Sequence, residues 1–151
     1  MPMVRSWRLS SPRSARVTDE LMSWQADRDA SGRPLDGQHR YQVHFDQCME
    51  PPARGFWSIA IFDLHGMPVD NRLHRFAIGD RSELTVSPDG SLEIAVCHES
   101  RARAGDLNWL PAPASRFFMI LTIYGPTADA VDGVWRPPPI RREGTLMMQA
   151  S

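Results

Sequence analysis

Residues 83–96 read ELTVSPDGSLEIAV, and this stretch decides the predicted fold class. Apolar and polar side chains alternate before the turn sequence PDG and alternate again after it, which is typical of two strands that each bury one face. The sequence Pro-Asp-Gly favours a tight turn between them, so the stretch predicts a β-hairpin. The alternating apolar positions are Leu84, Val86, Leu92, Ile94 and Val96.

Three further stretches carry strand signals. In RYQVHF, the side chains of Tyr41, Val43 and Phe45 alternate with polar ones, as in a half-buried strand. GFWSIAIF (55–62) and RFFMILTIYG (116–125) are almost wholly apolar, which predicts strands in the middle of a sheet. The chain lacks the alternation of strands and helices that a parallel sheet requires. We therefore predict an all-β fold, an antiparallel β-sandwich or jelly roll of about six or seven strands.

The ends of the chain are predicted to lie outside the sandwich. TDELMSWQ, residues 18–25, fits a short helix with Thr18 as its N-cap and with Leu21, Met22 and Trp24 on an apolar side. The residues before it contain arginines but no acid, which indicates a flexible basic tail. Near the other end, TADAVDG predicts one helical turn and WRPPPI an extended segment. The predicted boundaries are 1–25 for the tail and helix, 26–143 for one sandwich domain, and 144–151 for a C-terminal tail.

Composition narrows the class of partner. The chain has 151 residues and a formal net charge of −1, so it fits one domain and gives no reason to expect a nucleic acid as partner. No apolar run is long enough for a membrane-spanning helix. The start of the chain lacks the apolar core of a secretory signal, which leads us to expect a cytoplasmic protein.

The usual catalytic and cofactor motifs are absent. The sequence has no glycine-rich phosphate loop, no HExxH zinc motif and no GxSxG nucleophile elbow, so no cofactor is predicted. His44 is the best candidate for a metal ligand among the histidines. The strand register turns its side chain away from those of Tyr41, Val43 and Phe45. It lacks recognisable partner ligands in the sequence, and no metal site is predicted.

Two polar stretches, VDNRLHRFAIGDR (69–81) and NWLPAP (108–113), are the strongest candidates for a site. In one interpretation Asp80 caps a turn, the arginines form surface ion pairs and Trp109 fastens a loop to the sandwich. In the other, these side chains form the polar wall of a ligand pocket. Spacing alone favours the structural interpretation, because structural ion pairs outnumber binding sites. The candidate ligand-binding residues are Asn71, Arg75, Asp80, Arg81, Asn108 and Trp109.

Taken in order, the motifs of the chain resemble those of a known bacterial family. They are GRPLDGQHRYQVHF, FWSIAIFD, VDNRLHRFAIGDR, DGSLEIAV, NWLPAP, FFMILTIYGP and DGVWRPPPI. From about Asp29 to Arg142 the chain is similar to domain-of-unknown-function family 1214. The resemblance implies a jelly-roll-like β-sandwich, which commonly follows a domain of family 1254 in exported two-domain proteins. It implies no settled activity.

We also expect departures from that family: the sequence predicts a stand-alone, divergent copy that lacks the family 1254 domain and the export signal of relatives. Relatives tend to have Gly-Gln-Leu where this chain has Cys48, Met49 and Glu50. They usually read Asn-Pro-Leu-Asn-Arg-Tyr where this chain has NRLHRF at 71–76, and they usually carry an arginine where Thr122 stands. If that arginine belongs to the family's site, this chain has an altered or lost activity.

The sequence leaves three candidate functions open. The first is binding, with or without turnover, of a small polar or anionic ligand by Arg75, Arg81 and Asn108, which Asp80 would orient. The second is a non-catalytic structural or subunit-assembly module, whose exposed apolar strand faces pair with another copy or with a separate family 1254-like protein. The third is a metal-dependent enzyme. We favour the first, because polar residues in the loops of shared motifs are more often functional than core residues.

Overall fold

Two β-sheets and one helical turn form in the part of the chain that the computed structural model describes, namely residues 6–9, 21–68, 77–82, 84–98 and 108–143. The predicted all-β class is confirmed. The elements are β1 (Arg8–Leu9), β2 (Leu21–Ala26), β3 (Tyr41–Phe45), β4 (Ala53–Asp63), β5 (Ala77–Gly79), β6 (Leu92–Cys97), β7 (Trp109–Pro111), β8 (Phe117–Pro126), α1 (Ala128–Val131) and β9 (Ile140–Arg142).

The first sheet has five antiparallel strands in the order β1-β2-β8-β4-β5. The two apolar runs predicted as central strands form β4 and β8, which pair along most of their length. Their register sets Ile123 opposite Trp57 and Leu121 opposite Ile59, and all four side chains are buried. Successive side chains of a strand point to opposite faces, so this register fixes one face as the core side.

The second sheet has four strands in the order β7-β6-β3-β9. Strand β3 pairs antiparallel with both β6 and β9, whereas β7 runs parallel to β6. The sheet is therefore mixed, which differs from the purely antiparallel sandwich predicted from the hairpin signal.

Aromatic side chains join the two sheets. Tyr41 of β3 meets Phe117 of β8 edge to face, with their ring centroids 6.1 Å apart. Phe45 of β3 meets Trp57 of β4 with ring centroids 5.6 Å apart. All four rings are almost fully buried. Because each pair links a strand of one sheet to a strand of the other, the core lies between the sheets, as a sandwich requires.

The predicted hairpin over 83–96 forms only in part. Its turn is present, since the backbone N–H of Gly90 donates to the carbonyl of Ser87 and the N–H of Ser87 donates to the carbonyl of Ser91. Residues 84–87 form no strand, and Val86 is 56% exposed. The reason is non-local, because the side-chain amide of Asn108 binds the backbone of Thr85 and the carbonyl of Glu93 and so stands between the first arm and β6.

The predicted helix over 18–25 is wrong for its described part, which forms strand β2. Met22, Trp24 and Ala26 alternate toward the core, and β2 is hydrogen-bonded to β8 along all six of its residues. Tertiary pairing of this kind overrides a weak local helix signal. Residues 18–20 lie outside the described residues.

The sandwich also begins before residue 26, which is its predicted first residue. Strands β1 and β2 both belong to the five-stranded sheet. Trp7, which the sequence assigns to a flexible tail, is 2% exposed, and its indole Nε1 donates to the carbonyl of Pro138 at 2.8 Å. The hydroxyl of Ser6 accepts a hydrogen bond from the N–H of Ile140. The segment 6–9 is thus fastened to the last strand region.

The prediction for TADAVDG is confirmed. The helical turn α1 is followed by Gly133 in the left-handed region, with φ of 78°. The proline segment after it forms neither helix nor strand before the edge strand β9 begins at Ile140.

Replacing Trp7 tests whether this residue belongs to the core or to a flexible tail. Trp7→Ala should lower the free energy of unfolding by about 3–5 kcal/mol, because it empties a buried aromatic site and removes an indole hydrogen bond. Leu9→Ala is the control, since Leu9 is 47% exposed, and it should change stability by less than about 1 kcal/mol. Urea denaturation measures both variants. Equal losses for the two would mean that Trp7 behaves as part of a tail.

Candidate functional sites

Asp80 and Arg81 follow the short edge strand β5, and both contact β4. A Cβ atom on Gly79 would overlap the carbonyl oxygen of Trp57, so only glycine lets the two strands come this close. The Oδ1 atom of Asp80 then accepts the backbone N–H of Trp57 at 3.2 Å. The guanidinium carbon of Arg81 lies 3.9 Å from the ring centroid of Phe56, in cation–π geometry. The Gly-Asp-Arg block therefore has a structural role in fastening β5.

Asn108 is 5% exposed and acts as a side-chain bridge. Its Oδ1 accepts the N–H of Thr85 at 2.8 Å, and its Nδ2 donates to the carbonyls of Thr85 at 2.8 Å and Glu93 at 3.0 Å. The side-chain amide thus links the segment before the Pro-Asp-Gly turn to strand β6, with hydrogen bonds like those of a backbone peptide group. These bonds use the oxygen and both protons of the amide.

Trp109 and the prolines of NWLPAP are also held by the fold. The indole Nε1 of Trp109 donates to the carbonyl of Cys97 at 3.0 Å. A Cβ atom on Gly37 would overlap the carbonyl oxygen of Pro113, so the LDGQHR and NWLPAP motifs are pressed against each other. The described contacts of these motif residues fit the structural interpretation.

The six candidate residues are only partly described. Asn71 and Arg75 lie outside the described residues. Asp80 and Arg81 border the five-stranded sheet, whereas Asn108 and Trp109 belong to the edge of the four-stranded sheet. A shared ligand site for these residues remains a prediction.

The solvent-facing side of the five-stranded sheet, here called the outer face, carries no charged side chain on β2, β8, β5 or on β4 from Phe56 to Phe62 in the described chain. Phe56 stacks on Tyr124 at one end, with ring centroids 4.2 Å apart, and Phe62 stacks on Phe118 at the other, 5.5 Å apart. Small or uncharged side chains fill the space between these aromatic pairs. They are Ser23, Thr122, Ser58, Gly79, Gln25, Ile120, Ala60 and Ala77.

The outer side of the four-stranded sheet is different. Its outward positions include Gln42, His44, Glu93 and Arg141, as expected for a sheet face in contact with water. His44 lies 3.1 Å from Asp46 and 3.9 Å from Glu93, and all three side chains are partly or largely exposed. Among the described residues no group of three or more His, Cys, Asp or Glu side chains is arranged to hold a metal.

A cavity of about 430 Å³, here called the tryptophan cavity, opens between the segment 6–9, strand β2 and the segment 130–137. Trp7, Trp24 and Trp135 line it together with Arg8 and Arg136. Trp24 and Trp135 meet edge to face with ring centroids 5.6 Å apart. Sequence reasoning missed this site, because the three tryptophans are far apart in the chain and none stands in a polar motif.

Cys97 is the buried thiol of the chain, whereas Cys48 is exposed. Burial raises the pKa of the Cys97 thiol, and the nearby guanidinium of Arg40 opposes the shift only in part. Arg40 is paired with Glu143 at 2.8 Å. Since the thiolate is the reactive form, a raised pKa makes Cys97 a poor nucleophile.

Fold and motifs together define a β-sandwich domain whose shared motif residues hold strands and turns in place. The chain belongs to the family described as Protein of unknown function (DUF1214), whose model matches residues 20–128. The resemblance inferred from the motifs is thereby confirmed. Within the described ranges no helix has the length and apolar character needed to cross a bilayer.

The chain is similar to two solved bacterial structures. The VPA0106 protein from Vibrio parahaemolyticus is 30% identical with a TM-score of 0.72, over 83% of this chain and 31% of that one. An uncharacterized protein from Burkholderia cenocepacia is 16% identical with a TM-score of 0.48, over 82% of this chain and 29% of that one. This chain therefore spans less than a third of either relative. No curated protein matches it significantly.

Truncating Asn108 tests whether its amide is structural. Asn108→Ala should lower the free energy of unfolding by about 2–4 kcal/mol, because buried backbone groups of Thr85 and Glu93 lose their partners. Asn108→Asp keeps the acceptor for the Thr85 N–H but loses both donors, so it should also be destabilising. Thermal and urea denaturation measure the effect. Stability within about 0.5 kcal/mol of wild type would leave Asn108 free for a ligand.

Proposed function

We propose that this domain is an assembly module that pairs with a second copy of itself through the outer face of its five-stranded sheet. The observation that carries the proposal is the absence of charged side chains from β2, β5, β8 and the Phe56–Phe62 part of β4 on the described outer face. Arg8 of the edge strand β1 and Arg81 over Phe56 lie at the margin of this area. A sheet face in water normally carries polar and charged residues, as the outer side of the four-stranded sheet does. Large exposed apolar patches on protein surfaces mark contacts with other proteins, and the two aromatic pairs together with Ile120 form the apolar part of this face.

The shape of the outer face supports self-association. The two stacked aromatic pairs form ridges, and the small residues between them form a trough. Phe118 and Tyr124 are six residues apart, so the ridges are about 20 Å apart along the strand. A ridge of one copy fits into the trough of another when the copies are shifted along the strand direction.

The expected affinity is modest. Four strands about 4.8 Å apart and a ridge spacing of about 20 Å give a projected area of roughly 400 Å² per copy. The exposed side chains of Leu64 and Met67 extend the apolar surface beyond Phe62. This is at the lower end of specific interfaces, so we expect a dimer with a dissociation constant of about 1–100 µM.

Placing a charge in the trough tests the assembly proposal. Thr122 is an outward, half-buried residue of the central strand β8, so Thr122→Arg should give a folded monomer at every concentration. Gln42→Arg is the matched control, because Gln42 is an outward, half-buried residue of β3 in the other sheet. It should leave the concentration-dependent dimer intact. Analytical ultracentrifugation measures both, and a wild-type protein that stays monomeric at about 300 µM would refute the proposal.

A second candidate function is anion binding by Arg81, next to Asp80. It is supported by one observation: the Arg81 guanidinium is exposed, is held over Phe56, and pairs with no carboxylate of the described residues. An exposed guanidinium of this kind suits a carboxylate or phosphate. Asn71, Arg75, Asn108 and Trp109 belong to this proposal as further candidate contacts.

Titration with citrate tests the second candidate. Arg81→Gln should weaken citrate binding at least fivefold, whereas Arg141→Gln, which removes an exposed arginine from the other sheet, should leave it unchanged. Isothermal titration calorimetry on the Thr122→Arg monomer keeps dimerisation out of the signal. Equal affinities for the two arginine variants would exclude Arg81 as the anion site.

A further inference from the structure

The tryptophan cavity has walls that are fixed before any ligand arrives. Trp7 is 2% exposed, Trp24 7% and Trp135 5%, so each ring is held by its neighbours. The indole Nε1 of Trp7 donates to the carbonyl of Pro138, and that of Trp135 donates to the carbonyl of Met49, both at 2.8 Å. A site with locked side chains loses little conformational entropy on binding.

These walls favour an apolar ligand body. Because the N–H groups of Trp7 and Trp135 are already used, their rings offer carbon surface to the cavity. Met22 and Ala130 add further apolar lining. A volume of about 430 Å³ lies within the range of sites for small molecules.

The charged residues of the lining favour an anionic head group. Arg8 and Arg136 line the cavity, and none of the described lining residues is acidic. Arg8 is 3.7 Å from Asp27, and both side chains are largely exposed, so this pair is a weak one. Arg136 is exposed and pairs with no carboxylate in the described part of the chain. A cationic ligand would be repelled here in spite of the aromatic walls.

We propose that the tryptophan cavity binds a hydrophobic carboxylate, whose aromatic or aliphatic body lies against Trp7, Trp24 and Trp135 and whose carboxylate meets Arg136. Guanidinium and carboxylate groups make paired, charge-assisted hydrogen bonds, and the aromatic rings remove the ligand body from water. The inference does not depend on dimerisation, because the cavity lining includes no residue from the trough between the aromatic ridges.

Direct titration with four probes tests the chemistry of the site. Naphthoate and decanoate represent aromatic and aliphatic acids, decanol is the neutral analogue and decylamine the cationic one. Binding is followed by tryptophan fluorescence and by calorimetry on the full chain. We expect saturable one-site binding of at least one acid, at least tenfold weaker binding of decanol, and no binding of decylamine. The Thr122→Arg variant should bind the acid with the affinity of wild type.

Two matched pairs of variants locate the site. Arg136→Gln should weaken binding of the acid at least fivefold, whereas Arg141→Gln should not change it. Val131 lines the cavity and is 39% exposed, so Val131→Trp should block it, while Val134→Trp, at a 75% exposed position outside the lining, should bind normally. Urea denaturation of each variant checks that it is folded.

Three results would overturn the proposal. One is the absence of saturable binding by either acid. Another is binding of decanol as tightly as decanoate, which would show that the carboxylate contributes nothing to binding. The last is an equal loss in Arg136→Gln and Arg141→Gln, or unchanged binding in a folded Val131→Trp, either of which would move the ligand away from the cavity.

Discussion

The register of strand β8 is the constraint on which the rest of the structure depends. Strand β8 is hydrogen-bonded to β2 on one side and to β4 on the other, so a single register sets the facing of three strands. It directs Met119, Leu121 and Ile123 into the core and the residues between them to the outer face. A slip by one residue would exchange the two faces and expose the core side chains, which is why such a register is strongly specified. The same strand pairing therefore decides which side chains form the core and which form the proposed assembly surface.

Sequence patterns predicted the elements whose signal is local and strong. The period of two in β3 and the apolar runs of β4 and β8 required no knowledge of partners, and each formed as expected. The errors arose where distant residues decide. Residues 21–25 form a strand because β8 is available beside them, and residues 84–87 form none because the amide of Asn108 lies between them and β6. Neither fact is visible in a window of ten or fifteen residues.

The candidate sites show a related difficulty. Asp80 and Asn108 stand in motifs shared with the family, which suggested a ligand site, and Gly79 stands where a turn was expected. In the structure the oxygen of Asp80 and the amide of Asn108 bind backbone groups, and Gly79 allows a close strand contact. The tryptophan cavity shows the opposite case, because its walls come from residues up to 130 positions apart, and the hydrogen bond from Trp7 to Pro138 spans 131. Apolar residues in separate segments give no motif, so only the folded chain brings them together.

The departures from the family bear on which function this chain has kept. Cys48 has φ of 66°, a left-handed conformation that favours glycine, and glycine is the residue that the family resemblance implies for relatives at this position. Thr122 is a different kind of change. It lies in the trough of the outer face, beside Ser23 and Ser58, and its hydroxyl is 3.4 Å from that of Ser23. An arginine there, as the family resemblance implies for relatives, would set a charge in the middle of this face. If relatives carry it, the uncharged middle of the outer face is specific to this chain, and the assembly proposal applies to this chain alone.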